Sequence, residues 1–215
     1  MNGISRANPA GSSAFVGFII GAAVVLASAS AHAGGRWDGA GDSSRDASSV
    51  IVPASGRIEI ACSPNEGAEA LVLRVIRSAA HPGGELRVLA YSFTSGSITH
   101  AMLLANRAGA DIKVVVDARE CGDHDRTGKA ARNLAQLAAA GVDVRTVNDY
   151  LDMHDKVVVA DERTVETGSY NVSDASAHAN SENVVVLWDN PQAAQAFLSH
   201  FHRNYLQAVP LRPPH

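Results

Sequence analysis

The amino-acid sequence predicts an α/β fold, a central mixed β-sheet with helices on both faces. Three observations carry that expectation. Strand-like and helix-like segments alternate from residue 57 onward. Several strand-like segments, such as 112–116 (IKVVV), are nearly continuous apolar runs, as expected of strands covered on both faces. Lys156–Ala160 and 164–167 flank Asp161-Glu162-Arg163 as a hairpin, which makes the sheet mixed rather than all parallel.

The elements follow in order. Arg57-Ile58-Glu59-Ile60-Ala61 alternates as a strand does. Pro64 and Glu66 open a helix whose apolar stripe is Ala68, Leu71, Val72, Val75, Ile76 and Ala79, ended by the breakers of His81-Pro82-Gly83-Gly84. Residues 86–93 read as the second strand. Ser97 is the candidate cap of a helix running to Ala108, with Gly109 as its stop. The run 112–116 is the third strand, 130–140 an Ala-rich helix closed by Gly141, and 142–147 the next strand. After the hairpin, 184–188 is a last buried strand. Asn190-Pro191 starts a final helix with Phe197, Phe201 and Tyr205 on its core face.

Composition narrows the classes. The chain has 215 residues, 46% hydrophobic and 19% charged, which excludes a disordered polar chain and suits one domain. A net charge of -4 argues against coating nucleic acid through bulk charge, though not against a local basic site. Two cysteines exclude a disulfide-dense scaffold and a Cys-rich zinc site.

Residues 1–33 read as a secretory leader: Arg6 in a polar opening, the apolar run AFVGFIIGAAVVL, and Ala31-His32-Ala33 as the cleavage pattern. An uncleaved anchor is the alternative. The expected location is the periplasm or the exterior. Residues 34–56, rich in Gly, Ser, Ala and Asp, read as a flexible linker, 57–208 as the catalytic domain and 209–215 as a tail. Export puts Cys62 and Cys121 where a disulfide persists. Each follows a predicted strand, and both a bridge between them and two buried free thiols remain open.

The chemistry concentrates between Met153 and Leu187. His154 and Lys156 are two apart and share a face of an extended chain, while Val157 and Val159 project toward a packed layer. Ser169 and Asn171 add neutral donors and Glu182 a carboxylate able to orient an imidazole. A phosphodiester needs charge neutralisation, oriented donors and a proton for its leaving oxygen. One ammonium ~4 Å from the phosphate supplies roughly 4 kcal/mol at an effective dielectric near 20. A positioned His adds a factor of about 10²–10⁴. These groups suit phosphoryl transfer better than acyl transfer. The loop 118–128 beyond a strand end offers Arg119 and Arg126, with Lys129 and Arg132 beyond, as a basic rim for substrate.

His154-x-Lys156-x4-Asp161-x6-Gly168-Ser169-x-Asn171 resembles the HKD signature of the phospholipase D superfamily. Ala90-Tyr91-Ser92-Phe93-Thr94, Val115-Val116-Asp117, Glu166-Thr167-Gly168-Ser169-Tyr170-Asn171 and Asn180-Ser181-Glu182-Asn183 are similar to its small bacterial endonuclease branch. The resemblance covers about residues 57–206. It implies a phospholipase D-like αβα sandwich with His154 as nucleophile or its acid/base partner. It implies Lys156, Asn171 and Ser169 on the phosphate, Glu182 bonded to the far nitrogen of His154, and Asp161 and Gly168 as structural motif residues. It also implies no metal and no cofactor, and no carboxylate cluster suited to a two-metal site accompanies the motif.

The mechanism asks for two histidines, and His-x-Lys occurs once. The expected partner is therefore a second copy of the chain, with the site shared across a two-fold interface. Nucleic acid is the expected substrate. The alternatives are a phospholipase D acting on phospholipid head groups and an inactive nucleic-acid-binding module. The charged loop without aromatics speaks against the first alternative, and the complete signature against the second.

Overall fold

The computed structural model describes residue 52 and residues 55–211. The expected leader and nearly all of the expected linker lie outside the described residues. Strand β1 spans Arg57–Ser63, helix α1 Ala68–Ser78, β2 Glu85–Ala90, α2 Gly96–Arg107 and β3 Asp111–Asp117. Then come α3 Lys129–Ala139, β4 Asp143–Val147, β5 Lys156–Ala160, β6 Thr164–Gly168, α4 Asp174–His178, β7 Glu182–Trp188, α5 Pro191–Gln207 and β8 Val209–Pro210.

The strands form one eight-stranded sheet in the order β1-β7-β6-β5-β2-β3-β4-β8. β2, β3 and β4 are parallel neighbours, whereas β5 is antiparallel to both β2 and β6, so the sheet is mixed. The apolar runs are explained by two cores. On one face Val88, Val114, Val116, Val158 and Val186 pack with Leu71, Ile76, Met102 and Leu134 of α1, α2 and α3. On the other, Leu89, Val115, Val157, Val159 and Val165 pack with Ala194, Leu198 and Phe201 of α5. Successive residues of β5 therefore enter opposite cores, and a polar residue on either face would have to be buried.

Several boundaries differ from the sequence expectation. Helix α1 starts at Ala68, not at Pro64, because Gly67 at its N-cap holds φ 93° and Asn65 φ 62°, which no helix continues. Ser95, not Ser97, caps α2: the Ile98 N–H donates to its Oγ at 3.3 Å. β2 ends at Ala90, three residues short of Phe93; the Tyr91 N–H makes one more bond in the β2–β5 register, to the Asp155 carbonyl at 3.0 Å. The first residues of the expected tail join the sheet. Val209–Pro210 pairs with β4, and the Leu211 N–H donates to the Val144 carbonyl at 2.8 Å.

A bridge between Cys62 and Cys121 is corrected as well. Both thiols are free. Cys62 is on edge strand β1 and Cys121 follows β3, with β7, β6, β5 and β2 between them. Five strand spacings are roughly 24 Å, far beyond disulfide reach. The buried Cys121 thiol donates to the Tyr91 carbonyl at 3.3 Å, and burial, with Glu120 and Asp117 nearby, pushes its pKa up to about 12.

Candidate active site

The sheet order explains why the chemistry-bearing residues meet. Ala90 at the end of β2 pairs with Lys156 at the start of β5, and Val157 pairs with Thr167. Gly168 at the end of β6 pairs with Val184 near the start of β7. Four adjacent strands thus present Tyr91, His154, Lys156, Ser169, Asn171 and Glu182 at one end of the sheet.

His154 is exposed and precedes β5 by two residues. Its ring rests on Tyr91, with centroids 4.5 Å apart. The Lys156 ammonium lies 5.0 Å from the same Tyr91 ring and donates to the His154 carbonyl at 2.9 Å. The two side chains therefore flank one aromatic surface, as their spacing predicts. Lys156 is buried, and burial lowers its pKa from the usual ammonium value, against the raising influence of Asp155 and Glu182. A desolvated ammonium acts more strongly on a bound anion than a hydrated one.

Glu182 differs from its expected role. One of its oxygens accepts from the Ser169 hydroxyl at 2.6 Å and the other from the Asn180 amide at 3.0 Å. Its carboxylate is thus bonded within the β6–β7 rim, to Ser169 and Asn180 and not to His154. Ser169 also accepts from the Asn183 N–H at 3.0 Å, so its one hydrogen is directed at Glu182 rather than at an incoming phosphate. Ser169 and Glu182 form a clip between β6 and β7. Gly168 allows that clip: a Cβ there would sit 2.2 Å from the Asn183 carbonyl oxygen. Asn171 differs in kind. Its buried carboxamide oxygen has no hydrogen-bond partner among the described residues, an open position for a ligand.

Asp161 lies at the opposite end of β5, about 17 Å along the strand from Lys156 at 3.3 Å per residue. Its carboxylate accepts from the Glu85 N–H at 2.9 Å and meets His81 Nε2 at 3.0 Å, fastening the hairpin to β2. Asp161 and Glu162 take φ of 51° and 53°, a turn Asp tolerates. These contacts hold the hairpin, far from His154 and Lys156.

The rim residues divide. Arg119 is half-buried, its guanidinium donating to the Tyr150 carbonyl at 2.5 Å. Arg126 is exposed. Asp117, buried at the end of β3, is a residue whose role the sequence does not reveal. It accepts from the N–H groups of Arg119 and Glu120 on the rim loop, and at 2.9 Å from that of Met153, just before His154. Tyr91 is the other. Its place in the motif Ala90-Tyr91-Ser92-Phe93-Thr94 was a signal, but only the fold shows it touching both His154 and Lys156. Among the described residues, no group of three or more His, Cys, Asp and Glu side chains could hold a metal ion.

The domain family described as cardiolipin synthase, PLD-like domain, matches residues 72–205. The chain belongs to the phospholipase D superfamily. Within it, the phospholipase D family member Nuc from Salmonella typhimurium is 35% identical, with a TM-score of 0.68 over 73% of this chain and 98% of Nuc. That likeness puts the chain in the Nuc-like branch and accounts for the mixed sheet with helices on both faces. Human mitochondrial cardiolipin hydrolase is 27% identical over 144 residues, 67% of this chain and 54% of that protein. A phospholipase D of Rickettsia typhi is 29% identical over 112 residues, 52% of each chain. The chain spans about half the length of these curated relatives.

Proposed function

We propose that the protein is an exported, metal-independent endonuclease that hydrolyses nucleic-acid phosphodiesters through a phosphohistidine, with its site shared by two copies of the chain. The observation that carries this is the exposed His154 ring at the sheet end beside the buried Lys156 ammonium. A histidine that shares one phosphorus with its two-fold mate has to stand at the surface.

In this mechanism one His154 attacks phosphorus, forming a P–N bond as the P–O bond to the leaving group breaks. The second His154 gives that oxygen its proton, then removes one from the water that cleaves the P–N bond. Lys156 neutralises the non-bridging oxygens. Asn171, its carboxamide turned to present nitrogen, donates to one of them. Glu182 and Ser169 hold the rim on which Asn171 stands.

The nucleic-acid reading is supported by a cavity of about 400 Å³ lined by Lys129, Arg132, His178, Ser97 and Thr94. It adjoins the site: the Thr94 N–H donates to the Val172 carbonyl at 2.7 Å, one residue beyond Asn171. Glu69 and Asp174 line it too, and Asp174 pairs with Lys129 at 2.9 Å, so a flanking phosphate would take the place of Asp174 beside Lys129 and Arg132. Residues 1–33, read as a leader, support export; N-terminal sequencing of the exported protein should begin at Gly34.

The test is cleavage of plasmid DNA in EDTA by the dimer. Cleavage that persists, falls with rising salt and vanishes in His154→Ala is expected. No cleavage from a folded dimer overturns the reading. A specific observation favours a second reading, hydrolysis of phospholipid head groups: Leu151, three residues before His154, is 83% exposed and could enter a lipid surface. Choline release from phosphatidylcholine vesicles, without DNA cleavage, would select it.

A further inference from the structure

The tripeptide His154-Asp155-Lys156 has a front and a back. Neighbours in an extended segment project oppositely, so with His154 and Lys156 on Tyr91, Asp155 turns away. Its carboxylate meets His200 Nε2 of α5 at 2.9 Å, with side-chain exposures of 31% and 33%. Arg203 contacts the other ring nitrogen of His200. A neutral imidazole satisfies both contacts, Nε2–H donating to Asp155 and Nδ1 accepting from Arg203. The turn is fixed from within α5 by Asn204, fully buried, which donates to the His200 carbonyl at 3.0 Å.

β5 pairing begins at Lys156, so His154 has no strand partner of its own. The segment is held by the Met153 N–H on Asp117, by the Asp155 carbonyl accepting from Tyr91, and by the Asp155 carboxylate on His200. We propose that His200 is a positioning residue: through Asp155 it fixes the His154–Lys156 segment at the geometry phosphoryl transfer requires. The inference rests on the phosphodiesterase reading and adds a residue of α5 to its machinery. His200 touches no substrate in this account. It sets where the attacking ring stands, and a displacement of about 1 Å can cost on the order of 100-fold in rate.

The experiment is steady-state hydrolysis of bis(p-nitrophenyl) phosphate by wild type, His200→Ala, His200→Gln, Asp155→Ala and the double Ala variant, with melting temperature measured for each. His200→Ala and Asp155→Ala should each lower kcat by about 10- to 100-fold with KM little changed. The double variant should fall no further than either single one, as expected of residues acting as a unit. His200→Gln, whose amide N–H can reach Asp155, should recover most of kcat. If the Ala variants lose only melting temperature and keep kcat, or if Gln recovers nothing, the positioning role is wrong. Wild-type protein without turnover on the diester would overturn the phosphodiesterase reading and this inference with it.

Discussion

The imidazole of His154 and the phenol ring of Tyr91 lie with centroids 4.5 Å apart, tilted by 57°. Lys156 contacts the same ring from its own strand. Tyr91 is therefore the surface against which the His154 ring and the Lys156 ammonium are both set. Its own hydroxyl has a raised pKa from burial, with Glu120, Asp152 and Asp117 adding to it, so it stays neutral. Replacing Tyr91 by Ala removes a cation–π contact of about 0.5–2 kcal/mol and frees the His154 ring. Tyr91→Ala should lower kcat on bis(p-nitrophenyl) phosphate by roughly 10-fold or more, while Tyr91→Phe, which keeps the ring, stays near wild type.

Glu166 predicts a pH-dependent stability unrelated to catalysis. It sits on β6 opposite Val158 and Val186, in the core beneath α1, and burial raises its pKa to about 8. One of its oxygens has no partner among the described residues. The folded state keeps a proton that the unfolded chain releases above about 4.5, so stability is highest below 4.5 and falls as pH rises toward 8. Glu166→Gln should flatten that slope. Thermal melts should show the variant gaining several degrees at pH 8 and little at pH 4.

Asp161 separates folding from chemistry within one motif. Asp161→Ala leaves the Glu85 N–H and His81 without their acceptor, a cost of about 1–3 kcal/mol. Its kcat should remain near wild type, because the residue stands at the far end of β5. His81, raised by its bond to Asp161, gives a contribution present in full below about 6.5 that fades as pH rises through the raised value. Denaturant melts at two pH values measure both effects.

Cys121 should be inert in the folded protein. With its thiol pushed up to about 12 and its side chain buried, iodoacetamide at pH 8 should label it only after unfolding. Electrophoretic mobility should be the same with and without reductant, since Cys62 lies strands away.

Much of this was legible in the sequence, for physical reasons that differ by element. The β5–β6 hairpin announced itself because burial on both faces leaves Val157-Val158-Val159-Ala160 apolar and because Asp161 tolerates a left-handed turn. The meeting of His154 and Lys156 on one face was legible because they are two apart on an extended chain. The start of α1 was not, since Pro64 and Glu66 look like a helix opening whether or not Asn65 and Gly67 turn the chain first. β8 is two residues long and carries no period to read. The partner of Glu182 was hidden because both Ser169 and His154 are plausible donors until the β6–β7 register puts Ser169 beside it. Strand order, which forbids the Cys62–Cys121 bridge, is a property of the assembled sheet and leaves no mark on either cysteine's surroundings. His200 lies 45 residues from Asp155 on a helix that reads as ordinary core packing.

Two neighbouring histidines working as acid and base should give a bell-shaped pH dependence of kcat/KM, because one ring has to be neutral while the other carries the proton. A rate that stays flat between about pH 5 and 8 contradicts paired imidazoles.

In the proposed mechanism two His154 rings from separate subunits serve one phosphorus. Wild-type and His154→Ala chains, mixed at constant total protein and allowed to exchange subunits, test it directly. If both rings are required, activity follows the square of the wild-type fraction and falls to about one quarter at an equal mixture. Activity that falls in simple proportion, to about one half, would mean that each chain works alone and would contradict the shared site.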